Sequence, residues 1–295
     1  MIGSLGRSPA IDVQVWPKSR VAKRYGRKSS LRKPLFATNV FRGLKHRATS
    51  DFPRFPLRDH LVEILEQRIG VVGAGFVVDA LQTLHLLGPD GRLLATMVDD
   101  DGSERFKLRV RDLETGAELE TISEVGIGAP VWTSDGKGLA FAEVNENWRS
   151  YRTRYHRLRT PASEDVTLYE EKEDPGFSVG VSKSLDDSLI FIATGDNTTS
   201  EVRFVSAADP TRPLTLVSPR RKGREYSVDA AHSKLWILTN DDHVNFRLAE
   251  ADPARPDEWT TVIPGSEHVY LRGHTAFRDH LAITQRVDGL DQLVL

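Results

Sequence analysis

The sequence predicts an all-β chain that forms part of a β-propeller, and three observations support this prediction. An apolar signature recurs from Asp90 to the end of the chain, each copy follows a turn, and the copies are evenly spaced. Repeats of about 40 to 50 residues that contain several short strands are typical of propeller blades. The copies read DGRLLAT (90–96), DGKGLAF (135–141), DDSLIFI (186–192), HSKLWIL (232–238) and RDHLAIT (278–284).

Each repeat also contains further strands beside the signature. Between the first two copies, FKLRVRDL (106–113) alternates apolar and charged residues, as a half-buried strand does. Turn sequences such as DDDGSE and ETG separate about four predicted strands per repeat, the number that a blade needs. A β-sandwich is the alternative, but nothing requires a sandwich to repeat its turn signature. The equivalent apolar positions of the signature are 45, 51, 46 and 46 residues apart, at Leu94, Leu139, Ile190, Trp236 and Ala282.

Charge divides the chain into two unlike parts. The 295 residues carry a net charge of -2, but residues 1–50 hold twelve Lys or Arg and one acid, Asp12, a balance of +11. The remaining residues, 51–295, balance to -13. A basic leader over residues 1–55, without strand alternation or an apolar helical stripe, predicts a disordered, non-propeller segment. A nucleic-acid arm or a transit peptide is disfavoured, because base-stacking aromatic residues and a clear amphipathic pattern are missing.

We expect residues 56–83 to form a short amphipathic helix, Leu57–Arg68, and a connecting segment. The incomplete propeller is then expected over residues 84–295. The apolar stretch Gly70–Gly88 is nearly long enough to span a membrane. It contains Asp79, Gln82 and His85, which would lie in lipid at a cost of several kcal/mol. The sequence therefore predicts no membrane partner.

The same stretch has a second interpretation, the opening of a nicotinamide-dependent oxidoreductase. Gly73-Ala74-Gly75 follows an apolar strand, and a later strand ends at the acids 99–101, where a ribose would bind. Val78 stands where a third small residue is needed, and no second strand–helix–strand unit follows. A dinucleotide-binding domain is therefore only a distant alternative.

Catalytic and metal-binding motifs are missing from the sequence. It contains no Gly-x-Ser-x-Gly elbow, no His-Glu-x-x-His and no phosphate-binding Gly-Lys-Ser/Thr. Zero cysteines exclude disulfides and thiolate metal sites, and they suit a reducing cytoplasm. A lone histidine such as His156 or His232 is interpreted as a surface or turn residue. We expect no catalytic residue, cofactor or metal in these 295 residues, and a cytoplasmic location.

One loop is a candidate for substrate or interdomain contact. The sequence YEEKED (169–174) carries four carboxylates that could attract a basic peptide or pair with arginines of another domain. A solvated charged loop is the simpler interpretation. The four candidate residues are Glu170, Glu171, Glu173 and Asp174.

The tryptophans give a prediction about the core. Trp132 and Trp236 fall on predicted strands and are expected to be buried. Trp148 lies in the loop NENWRSY, where we expect it to stack on Arg149 or on a neighbouring blade.

Several strings in collinear order resemble a known family. The chain from about residue 84 onward resembles the amino-terminal β-propeller domain of the oligopeptidase B group within the prolyl oligopeptidase family of serine peptidases. The strings include VWTSDGKGLAFAEVNENWRSYR (131–152), YEEKEDPGFSVGVSKS (169–184), PRRKGREYSVD (219–229) and LTNDDHVNFRL (238–248).

The resemblance implies a seven-bladed propeller that caps an α/β-hydrolase domain with a Ser, Asp and His triad. Such peptidases cleave short peptides after Arg or Lys, and the propeller restricts access. This chain reaches Leu295 in about the fifth repeat, so we expect four to five blades, a hydrolase domain outside it and no activity alone. Expected partners are short basic peptides, that hydrolase domain and, through uncovered blade edges, further copies of the chain. A non-catalytic propeller interaction module is the alternative function.

Overall fold

The structure is a computed structural model, and it describes residues 84–126, 128–277 and 279–295. In these ranges the chain forms nineteen β-strands and a single 3-10 turn at Ala162–Glu164. None of the described residues forms a helix with the length and apolar character needed to cross a membrane. The predicted leader (1–55) and the predicted helix Leu57–Arg68 lie outside the described residues.

The first two repeats form two blades that share one sheet. Within each blade, strands that are neighbours in the chain pair antiparallel, and the strand pairing between the two blades among the described residues is that of Val125 with Glu143. The first blade consists of β1 (Leu84–Leu87), β2 (Leu93–Val98), β3 (Phe106–Asp112) and β4 (Glu118–Val125). The second consists of β5 (Val131–Trp132), β6 (Gly138–Val144), β7 (Ser150–Arg157) and β8 (Val166–Glu170).

The remaining repeats form three separate antiparallel sheets, two of four strands and one of three. The third blade contains β9 (Ser178–Lys183), β10 (Leu189–Gly195), β11 (Ser200–Ser206) and β12 (Thr215–Ser218). The fourth contains β13 (Tyr226–Ala231), β14 (Lys234–Thr239), β15 (Arg247–Asp252) and β16 (Arg255–Ile263). The fifth contains β17 (Val269–Ala276), β18 (Leu281–Val287) and β19 (Leu290–Val294). The predicted fold class, an all-β partial propeller with about four strands per repeat, is confirmed.

The apolar signature forms the second strand of every blade: β2, β6, β10, β14 and β18. β6, β10 and β14 are buried along almost their whole length, because successive side chains point to opposite faces and both faces are covered. On β10, Ile190 packs against the second blade, while its neighbour Phe191 packs against the fourth. On β14, Ile237 packs toward the third blade and Trp236 toward the fifth. The core is therefore a series of hydrophobic layers between consecutive blades.

The turns before the first four signature strands place a residue in the left-handed backbone region. Gly91 and Gly136 occupy it with φ of 75° and 67°. In later repeats Asp187 (61°) and Ser233 (60°) adopt the same conformation at a cost that glycine avoids. The Asp-Gly pairs of the first two repeats therefore provide the backbone conformation that the turn needs.

The dinucleotide interpretation is wrong for the part of it that the structure describes. β2 would have led to the ribose-binding acids, but it pairs antiparallel with both β1 and β3, whereas a dinucleotide fold needs parallel strands. Asp99 accepts hydrogen bonds from the backbone of its own hairpin, including one of 2.8 Å from the Gly102 N–H. The glycines Gly73 and Gly75 lie outside the described residues.

Candidate functional site at the junction of the second and third blades

The four candidate carboxylates lie at the end of β8 and in the link that follows it to β9. Glu170 is half-buried, and its carboxylate lies 3.7 Å from Lys172 Nζ. Glu173 is exposed. Asp174 is half-buried and accepts a 2.8 Å hydrogen bond from the Gly176 N–H. These three carboxylates remain near solvent.

Glu171 has a different position, because its side chain is fully buried. Its Oε1 accepts the backbone N–H groups of Glu173 and Asp174 at 2.9 and 3.0 Å. Its Oε2 accepts the Tyr169 hydroxyl at 2.9 Å and the Thr194 hydroxyl at 3.2 Å. Strand alternation explains the difference from Glu170, since consecutive residues at a strand end point to opposite sides.

Arg220, which follows β12, provides the positive charge opposite Glu171. Its Nη2 lies 2.6 Å from Glu171 Oε2 and 3.1 Å from Glu201 Oε1. Its backbone N–H donates to Glu201 at 2.9 Å, and its guanidinium lies 4.6 Å from the ring centre of Phe177. Arg203 extends the network, since it pairs with Glu201 at 2.6 Å. One charged network therefore joins the second and third blades.

Electrostatics keep this network ionised. Burial by itself would raise the pKa of Glu171, but Arg220, the Tyr169 hydroxyl and two backbone N–H groups lower that pKa to about 2. Burial opposes the charge of Arg220 as well, yet its two carboxylate partners raise its pKa above the ordinary value. A charge pair of this kind is favourable only when its remaining hydrogen-bonding groups are satisfied, as they are around Glu171.

The loop NENWRS of the second blade is hydrogen-bonded to the segment that connects β8 to β9. Arg149 donates through Nη2 to the Asp174 carbonyl oxygen at 2.7 Å and through Nε to the Phe177 carbonyl oxygen. The neighbouring Trp148 is 55% exposed. Of the two expected contacts, Trp148 makes the one with a neighbouring blade and not the one with Arg149: the guanidinium 4.8 Å from its ring centre belongs to Arg105 of the first blade.

The burial predictions had mixed outcomes. Trp132 and Trp236 are 5% and 7% exposed, so their assignment to the core is confirmed. His232 lies exposed in the turn before β14, as expected. The surface interpretation of His156 is wrong, because this residue is 2% exposed on β7.

Sequence reasoning missed the surroundings of His156. Its Nε2 lies 2.7 Å from Glu120 Oε2, and its Nδ1 lies 2.6 Å from Asp165 Oδ1. Glu120 belongs to β4 of the preceding blade, so its contact with His156 joins the first and second blades. No sequence signal could have found the group, because its members are 36 and 9 residues from the histidine on separate segments.

Comparison with known proteins identifies the family. Residues 78–295 match the family described as "Prolyl oligopeptidase, N-terminal beta-propeller domain". The chain belongs to this family. The resemblance inferred from the sequence strings is therefore confirmed, and the family's propeller domain accounts for the five blades described above.

Individual relatives agree with the family assignment. Protease 2 from Moraxella lacunata is 32% identical over 213 residues, which are 72% of this chain and 31% of that protein. Dipeptidyl aminopeptidase BI from Pseudoxanthomonas mexicana is 32% identical over 209 residues, 69% of this chain and 28% of that protein. The solved structure of oligopeptidase B from Leishmania major superposes with a TM-score of 0.66 at 27% identity, covering 72% of this chain and 30% of that one. The chain thus spans less than a third of the length of these relatives.

The geometry divides the candidate residues into two groups. The Glu171 carboxylate is occupied by Arg220 and by donors of its own chain, which gives it a structural role between blades. Glu170, Glu173 and Asp174 can present negative charge outward. Contact with a substrate or another domain stays a prediction for this group.

Proposed function

We propose that this chain is the propeller part of an oligopeptidase B-type serine peptidase that cleaves short peptides after Arg or Lys. The observation that carries the proposal is the match of residues 78–295 to the amino-terminal propeller domain of the family. Hydrolysis then depends on an α/β-hydrolase domain outside these 295 residues, and the chain alone is inactive. The coverage of about 30% of the relatives' length supports this division.

Within this proposal, the propeller limits access to the peptidase site and its acidic link attracts basic peptides. Glu173 is exposed, and Glu170 and Asp174 are half-buried beside it. Opposite charge attracts a cationic peptide or the arginines of a neighbouring domain and accelerates their encounter. We further propose a cytoplasmic location, which the cysteine-free sequence supports.

The first test is to sequence the genomic DNA on both sides of this reading frame and to translate it in all frames. The proposal expects a continuation that encodes the remaining blades and a Gly-x-Ser-x-Gly elbow. A chain extended by that continuation should hydrolyse fluorogenic peptides with Arg or Lys before the scissile bond and should react with a serine-directed probe. The 295-residue chain should do neither. If no such continuation exists, the peptidase function is wrong for this gene product.

A non-catalytic interaction module is the second candidate, and one observation favours it. Trp148 stays exposed although its position is held by an indole N–H bond of 2.6 Å to the Ser103 carbonyl oxygen and by the Arg105 guanidinium. Rigid aromatic side chains of this kind often anchor protein interfaces. Specific retention of a partner by the 295-residue chain, lost in Trp148→Ala, would favour this function over the peptidase.

A further inference from the structure

The link between the third and fourth blades contains a turn with an unusual concentration of positive charge. The Arg224 N–H donates to the Arg221 carbonyl oxygen at 2.9 Å, and Gly223 has φ of 80°, so residues 221–224 form a tight β-turn. We call Arg221–Arg224 the basic turn. Arg221 and Lys222 are exposed and form no ion pair within the described part of the chain.

Arg224 is a buried cation without an ion-pair partner among the described residues. It is only 6% exposed, and none of the described carboxylates lies within ion-pair distance of it. Its Nη2 donates to the Ser218 hydroxyl at 3.1 Å and to the Pro219 carbonyl oxygen, while its Nε is buried without a partner. Burial lowers the pKa of Arg224. Asp241 and Glu201 favour the charge only from beyond ion-pair distance, so the burial of Arg224 is only partly compensated and needs an explanation.

One edge of the Arg224 guanidinium remains available. Its Nη1 makes no hydrogen bond to a described residue and keeps some contact with solvent. The aromatic rings of Tyr226 and Trp259 hold the group in place, with their centres 5.1 and 5.3 Å from the guanidinium carbon. A guanidinium fixed in this way loses little freedom when an anion binds.

We infer that the basic turn is a docking site for an acidic polypeptide segment, with Arg224 binding one carboxylate and Arg221 and Lys222 binding its neighbours. The ends of a β-turn lie within about 7 Å of each other, so the three cations spread over a short length of chain. An acidic segment carries several carboxylates at the spacing of neighbouring side chains, so each cation can meet a carboxylate of its own. Guanidinium groups also match carboxylates in planar, two-point contacts. The inference goes beyond the proposed peptidase function and does not depend on it.

The test is isothermal titration of the 295-residue protein with a capped hexaglutamate peptide at neutral pH and low salt. We expect saturable binding that weakens about tenfold in Arg224→Met and severalfold in Arg221→Gln. Methionine keeps an unbranched apolar side chain of similar length beside the two rings. Arg212→Gln is the matched control, because Arg212 is 73% exposed, belongs to the same blade and pairs with Asp209 at 3.2 Å. Its loss should change the dissociation constant less than twofold.

Three results would overturn the inference. They are an unmodified protein that does not bind the peptide, binding that is unchanged in Arg224→Met, and an equal loss in Arg212→Gln, which would mean a response to net charge alone. Inorganic phosphate provides a further arm: Arg224-dependent binding of phosphate without binding of hexaglutamate would exclude a polypeptide partner. If Arg224→Met does not fold, the exposed variant Arg221→Gln decides the question.

Discussion

The charged junction between the second and third blades leads to a quantitative prediction for Glu171→Gln. The substitution keeps the size of the side chain and one oxygen acceptor, but it removes the charge opposite Arg220. Glu173→Gln is the matched control, since it makes the same chemical change two residues away at an exposed position. We expect Glu171→Gln to destabilise the protein strongly and Glu173→Gln to have almost no effect.

The magnitude follows from the pKa of Glu171. A native value of about 2 against an ordinary value of 4.5 corresponds to about 3 kcal/mol of folding free energy at neutral pH, at about 1.4 kcal/mol per pH unit. Arg220 retains Glu201 in the variant, so the expected loss is about 2 to 3 kcal/mol. Because the native pKa is lowered, this stabilisation is complete above about pH 4.5 and disappears as the pH falls toward 2.

Urea denaturation of the 295-residue chain, followed by tryptophan fluorescence at several pH values, measures these effects. The free energy of unfolding should fall in Glu171→Gln at pH 7, and its difference from the unsubstituted protein should shrink below pH 4.5. Glu173→Gln should stay within about 0.5 kcal/mol. Equal unfolding midpoints for the two variants at pH 7 would refute the assignment of Glu171 to the interior network.

Three further predictions concern other parts of the fold. Burial raises the pKa of Asp229 to about 6, so its ionised form opposes folding and stability should increase as the pH falls from 7 toward 4. Asp229→Asn should raise the free energy of unfolding at pH 8 by about 2 kcal/mol and flatten its pH dependence, and a loss of stability would contradict this. Tyr226→Phe should cost about 1 to 3 kcal/mol in urea denaturation, because the hydroxyl donates to the Ser218 carbonyl oxygen at 2.6 Å and accepts the Val202 N–H at 2.8 Å. An unchanged unfolding midpoint would contradict that role of the hydroxyl. The last prediction concerns strand β19, which is exposed throughout. Self-association in sedimentation velocity should decrease in Leu293→Lys, and an unsubstituted protein that is already monomeric would refute the prediction.

Local chemistry explains why the repeat could be predicted from the sequence. Each blade consists of antiparallel strands joined by short connections, so its turn and its apolar strand stay close together in the chain. The turn position filled by Gly91 and Gly136 lies in the left-handed backbone region, which favours glycine. The Asp-Gly pair therefore marks the turn in the sequence. Trp132 and Trp236 were assignable to the core because they fall on apolar strands.

The charged groups show what local chemistry leaves open. Glu170 and Glu171 are neighbours of the same residue type, yet the Glu171 side chain is fully buried while that of Glu170 is 29% exposed. The partner of Glu171 is Arg220, 49 residues further along the chain. Nothing in either local sequence indicates the other, because the two segments meet only after consecutive blades pack together.

By itself, the sequence determined the all-β fold class, the repeat length and the family of this protein. These features depend on short-range periodicity, turn residues and short sequence strings. Only the tertiary structure decided which charged side chains are internal. His156 meets Glu120 across one blade boundary, and Glu171 meets Arg220 across the next. The physical reason is that strand alternation allows two faces for every residue, and the packing between blades determines which face is buried and which residues lie opposite it.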